Sequence, residues 1–194
     1  PLRGQNNVQG ACDMGAYPNV YSGYQKCENA ELRAKMEKAW GTSGLPDWYG
    51  STLTEQINEC GDKIKAMYIL GLNPVVTYPD SNHVKRQLQK LDFCVVQDIF
   101  FTETCNYADV ILPGACFAEK DGTFTSGERR INRVRKAVNP PGKSKEDIWI
   151  IAEIAKKMGL KGFDLPTAKD VWDDMRNCTP SMFGATYEKL ERPE

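Results

Sequence analysis

Three short apolar runs, 66–70, 93–96 and 108–112, alternate with segments of helical period, and that alternation predicts an α/β fold. Apolar strands separated by helical segments imply parallel pairing through crossover connections. The expected architecture is therefore a Rossmann-like layered fold with a short, mostly parallel sheet flanked by helices. A further observation gives the sheet a functional edge: the runs close on Asn73-Pro74, Gln97-Asp98 and Pro113, polar or turn-forming residues directly after apolar ones.

Residues 1–30 are rich in Gly, Asn and Tyr without sustained periodicity and read as an extended loop. The opening Arg3-Gly4-Gln5-Asn6-Asn7 is too polar to build a core; glycine allows close backbone approach and the amides offer paired donors and acceptors, so it suits the lining of a polar site. The stretch 31–40 fits a short amphipathic helix with Leu32, Met36, Ala39 and Trp40 on one face, and 41–47 breaks it. A helix over 53–60 would be capped by Ser51 or Thr52. After the first strand, Ser81-Asn82 opens a helix over 84–91; after the second, 102–107 makes a turn of helix. The run 146–158 is a helix with Ile148, Ile151, Ala152 and Ala155 inward and Gly159 as its stop. A second helix, 167–175, and a Pro-bearing tail follow. This divides the chain into a loop with a short helix (1–50), an α/β body (51–165) and a helical tail (166–194). No internal repeat or low-complexity run occurs.

A chain of 194 residues makes one domain, or one with appendages, and 41% hydrophobic with 26% charged residues is ordinary globular composition. The net charge of −1 gives no electrostatic case for nucleic acid or an anionic membrane. No apolar run approaches the ~20 residues a membrane-spanning helix needs. Seven cysteines, an odd number without a C-x-x-C pair, and the single His83 argue against a structural zinc site. They read as reduced, packed thiols of a cytoplasmic chain. The chain starts at Pro1, with no Met and no signal peptide, as an internal piece of a longer protein would.

Open parallel sheets bind ligands beyond the carboxyl ends of their strands. Residue pattern alone leaves two readings of those ends. Asn73 and Gln97-Asp98 form a nucleotide-binding edge, or Asn73-Pro74 is only a turn and Gln97-Asp98 a helix cap. Lys120 is likewise a ligand contact or a solvated loop charge, and Asp147 a contact or a charge favoured at a helix N-terminus. The basic run 128–135 reads as a solvated or interdomain face, and the four Trp as core and interdomain packing.

Five strings in order and spacing carry a family resemblance: the opening 1–15, Leu70-Gly71-Leu72-Asn73-Pro74, Val95-Val96-Gln97-Asp98-Ile99-Phe100, Ala108-Asp109-Val110-Ile111-Leu112-Pro113 and Glu119-Lys120-Asp121-Gly122-Thr123-Phe124. They resemble the catalytic (alpha) subunit of molybdenum- or tungsten-dependent formate dehydrogenases, in the molybdopterin oxidoreductase (dimethyl sulfoxide reductase) superfamily. The resemblance implies a bis-molybdopterin guanine dinucleotide cofactor with Mo or W, whose guanosine end would meet Asn73, Thr77, Gln97, Asp98, Lys120 and Asp147. Guanine suits that set, because its ring N–H and amine donate together to one carboxylate while O6 and N7 accept from amides or Lys. It also implies that Arg3 orients formate through its planar fork, with Gln5 close by. Oxidation of formate to CO2 would send two electrons to a 4Fe-4S cluster and on to electron-transfer subunits. The family's metal-ligating Cys or selenocysteine, its neighbouring His and its cluster-binding Cys motif lie upstream of the matched region. No residue here is therefore expected to ligate metal, and the chain is expected to need the remaining domains of its subunit for turnover. Another molybdopterin oxidoreductase, or a non-catalytic electron-transfer scaffold of the same fold, is the alternative; the Arg3 and Gln5 pair favours formate.

Overall fold

A computed structural model describes residues 4–164 and 167–192. In chain order the regular elements are α1 (Val8–Asp13), β1 (Val20–Tyr21), β2 (Gln25–Lys26), α2 (Ala30–Trp40), α3 (Leu53–Glu59) and β3 (Ala66–Leu70). There follow α4 (Pro74–Thr77), α5 (Ser81–Leu88), β4 (Phe93–Asp98), β5 (Val110–Pro113), β6 (Gly122–Thr125) and β7 (Ile131–Val134). The last are α6 (Asp147–Lys157), α7 (Ala168–Cys178) and α8 (Tyr187–Leu190), and short 3-10 turns include Glu103–Tyr107 and Phe117–Glu119. The described residues divide into two compact units, 51–120 with 136–164, and 4–50 with 121–135 and 167–192.

The first unit holds the expected parallel sheet, in the order β3-β4-β5. Register pairs Met67 with Cys94 and Ile69 with Val96. The two-residue period then sends these four side chains to one face, where Ile57, Val75, Val84, Leu88 and Cys105 complete the core. Helix α3 begins at the capping box of Thr52 and Glu55. Helix α5 starts behind Asp80, whose carboxylate accepts from the His83 amide at 2.9 Å, and it ends at Leu88 rather than at 91. Leu91 follows in a turn, because Asp92 already donates its amide to Lys65 at the base of the sheet. In α6 the buried residues are Ile150, Ala152 and Ala155, while Ile151 stays 46% exposed. The run Ile148-Trp149-Ile150-Ile151-Ala152 is apolar without interruption, so its period does not choose between the two isoleucines.

The second unit corrects the expectation of an extended loop over 1–30: α1, the β1–β2 pair and a 3-10 turn occupy its described part. Helix α1 contains Gly10 and has no flanking apolar stripe, so local propensity does not announce it. It is held from a distance, by Asn7 Oδ1 accepting from the Thr125 amide at 3.0 Å and by Arg129 donating to Asp13 at 2.8 Å. A Cβ on Gly10 would fall 2.1 Å from Asn7 Oδ1, so glycine is what allows that approach. The basic run proves to be one arm of the antiparallel β6–β7 hairpin. Its Arg133 guanidinium lies over the Tyr187 ring at 4.1 Å and pairs with Glu191 at 2.7 Å. Trp172, Met182 and Tyr187 make this unit's small core; Trp40 meets the Tyr21 ring edge-on at 5.8 Å but stays 47% exposed, Trp48 is 66% exposed, and Trp149 of the sheet unit is 40% exposed. In α2, Met36 is buried and Leu32 half-buried, but Ala39 and Trp40 face outward. All seven cysteines are free thiols and six are buried. Among the described residues no helix is long and apolar enough to cross a membrane.

Candidate functional site

The carboxyl end of the sheet opens into a cleft of about 320 Å³. Strand β3 leaves it through Gly71, at φ +62°, where the chain turns sharply toward Asn73. Strand β4 ends on Gln97 and Asp98, so both belong to the strand and cap no helix. Strand β5 ends on Pro113, and Gly114 donates its amide to the Asp98 carbonyl at 3.0 Å.

Gln97 is the anchor, with 1% of its surface exposed in spite of its polar amide. Burying an amide is tolerable only when its donors and acceptors are met. Here the Tyr68 hydroxyl donates to Gln97 Oε1, and Gln97 Nε2 donates to Asp147 Oδ1 at 2.5 Å. Tyr68 and Gln97 lie on the sheet face opposite the Ile69 core, because register pairs Tyr68 with Val95. Asp147 is the first residue of α6, where the helix dipole favours its negative charge. Its other oxygen takes the Lys120 ammonium. The result is a continuous polar chain from Tyr68 through Gln97 and Asp147 to Lys120. Burial, and then the nearby Asp147 carboxylate, push the Tyr68 phenol above its ordinary pKa.

Asp98 joins the same cleft, and its Oδ1 accepts from the Phe100 amide at 3.1 Å to turn the chain at the rim. The structure thus brings Gln97, Asp98, Lys120 and Asp147 together. Asn73 and Thr77 are not among the cleft's lining residues. Asn73 donates to Glu103 at 2.7 Å and accepts from Thr104 Oγ1 at 2.7 Å, while Thr77 Oγ1 donates to the Asn73 carbonyl at 3.0 Å. They tie the start of α4 to the 3-10 turn, and the Asn73 bond holds the Glu103 carboxyl below its usual range. Gln5 is exposed just before α1, in the other unit. Arg3 lies outside the described residues.

Two contributors escaped sequence reasoning. Tyr68 is the one polar-tipped side chain in an otherwise apolar run, a signal that was there to be used. Gly114 gives none locally, yet a Cβ there would sit 3.4 Å from Asp147 Oδ1. Any larger side chain would project toward the cleft.

Beyond the parallel strand ends the cleft thus gathers two carboxylates, one ammonium and one buried amide. A family model for molybdopterin oxidoreductases matches residues 3–157 of the chain. The chain belongs to the molybdopterin oxidoreductase family. Within that family it is 53% identical over 192 residues to the F420-dependent formate dehydrogenase subunit alpha of Methanocaldococcus jannaschii, covering 98% of this chain and 28% of that protein. It is 42% identical over 191 residues to formate dehydrogenase H of Escherichia coli, covering 98% of this chain and 27% of the relative. The chain thus spans little more than a quarter of these relatives' length. Acetylene hydratase from Pelobacter acetylenicus shares the fold, with a TM-score of 0.54 at 20% identity over 96% of this chain and 24% of that one. The resemblance drawn from the five sequence strings and the α/β fold class both stand.

Proposed function

We propose that this molybdopterin oxidoreductase chain is part of the catalytic subunit of a formate dehydrogenase, and that its sheet-end cleft holds the guanosine end of a bis-molybdopterin guanine dinucleotide. The observation that carries the reading is the convergence of Gln97, Asp98, Lys120 and Asp147 on one cleft. Its volume, about 320 Å³, is at the small end of the roughly 300–1,000 Å³ typical of ligand pockets and suits a nucleoside end. The donor set fits guanine. Asp147 or Asp98 would accept from its ring N–H and amine, and Lys120 would donate to its acceptors, while Gln97 lines the floor and holds Asp147 in place. Asn73 and Thr77, just past β3, are the further contacts proposed.

Formate is the substrate proposed on the names of the relatives. Arg3 would hold its two oxygens with a guanidinium fork, and Gln5 would stand beside it. The Mo or W group would supply the two-electron chemistry, delivered to a 4Fe-4S cluster and to electron-transfer subunits. The chain's residues supply placement and charge, and turnover requires the rest of the subunit. Seven free thiols support a reducing compartment, the cytoplasm.

Calorimetric titration of the chain with GDP tests the cleft. Saturable binding, weakened about tenfold or more by Asp147→Ala or Gln97→Ala, is the expected result for loss of a charge-assisted bond. A folded chain that takes up no GDP overturns the cleft assignment. In the full-length enzyme, Arg3→Lys keeps charge but loses the bidentate fork, and kcat/KM for formate should fall at least about tenfold.

A further inference from the structure

The rim of the cleft is apolar where its floor is polar. Ile99 and Phe100 line it, and Phe100 is 73% exposed. What sets this ring apart from other exposed apolar side chains is its place on the rim of a cleft lined by four polar groups, where a bound ligand would cover its apolar surface. The Asp98 carboxylate accepts from the Phe100 amide at 3.1 Å, so the strand end that supplies polar contacts also fixes the backbone turn that carries the ring. The next residue, Phe101, is 70% exposed but does not line the cleft.

We propose that Phe100 is the stacking face of this cleft, its ring lying against the plane of a heteroaromatic base whose polar edge meets Gln97, Asp98, Lys120 and Asp147. The inference rests on the base-binding reading above and adds a second recognition surface to it. Edge and face do different things. Hydrogen bonds at the edge select the base, whereas stacking on an aromatic ring tolerates any base, because each has a π face. Phe100 therefore contributes affinity, and the polar set contributes choice.

The test is GDP binding by calorimetry to the chain carrying Phe100→Leu, Phe100→Trp or Phe101→Leu, each checked for an unchanged circular dichroism spectrum and melting temperature. Leucine keeps most of the apolar volume but has no π face; tryptophan has a larger one. Loss of a base–aromatic stack weakens binding by roughly five- to a hundredfold, so Phe100→Leu should fall in that range. Phe100→Trp should bind within about threefold of the parent, with indole fluorescence that changes on GDP addition beyond the change in the parent. Phe101→Leu should bind as the parent does. If Phe100→Leu binds like the parent while Asp147→Ala is weakened, stacking is overturned and the cleft assignment survives. Equal weakening by Phe100→Leu and Phe101→Leu also overturns it, because general apolar cover then explains both. No GDP binding by the parent chain overturns stacking and cleft together.

Discussion

Gln97 shows how a single residue joins stability to binding. Its amide is buried with both ends bonded, so Gln97→Leu removes the partner of the Tyr68 hydroxyl and of Asp147 Oδ1 at once. The expected cost is about 1–3 kcal/mol, read as a lower midpoint in chemical denaturation. Cys94 gives a pH signature of the same kind. Burial, with Asp109 nearby, pushes its thiol up from 9.0 to about 11. A raised acid binds its proton more tightly in the folded chain, so its contribution is intact below about pH 9 and is lost as pH climbs through 11. Tyr68 shifts in the same direction from 10.0 and adds to the alkaline loss. Melting temperature should therefore decline above pH 9, and less steeply in Cys94→Ala than in the parent.

At the scale of elements, α5 and α1 are held in opposite ways. Helix α5 is secured by burial: Leu88 is 1% exposed within the sheet core, and Leu88→Ala should cost about 2–5 kcal/mol in denaturant unfolding. Helix α1 is secured by two long-range bonds, one at each end, Asn7 to Thr125 and Asp13 to Arg129. A methyl on Gly10 would displace the Asn7 side chain and break its bond to Thr125, at about 1 kcal/mol. Gly10→Ala and Asn7→Ala should then fail to add in the double variant, a coupling read from the same unfolding curves. The contrast also explains what sequence could tell. The sheet strands β3, β4 and β5 and the helices α3, α5 and α6 carry apolar runs, caps or a glycine stop, and their presence and type were legible. The short α1 draws its support from Thr125 and Arg129, more than a hundred positions away, which no local pattern records.

Across the whole molecule the same division holds for the site. Gln97, Asp98, Lys120 and Asp147 were legible as polar residues around strand ends and a helix start, once the five strings gave them a family setting. Their mutual bonding was not, because Lys120 and Asp147 are 27 residues apart and Gln97 and Asp147 are 50. The thiols offer a check on how well both units pack. Cys116 is only half-buried whereas the other six are buried, so an aromatic disulfide reagent should modify it first, with the rest reacting only in denaturant. The division of the chain between the units has a consequence for its birth on the ribosome. The sheet unit is complete in sequence by residue 164, but the unit that owns residues 4–50 also needs 167–192. Ser22 meets Thr179 at 2.5 Å, and Gln25 donates to the Cys178 carbonyl at 2.9 Å. Residues 4–50 thus emerge well before the partners they need, and they must be kept from wrong ones while more than a hundred residues are added behind them.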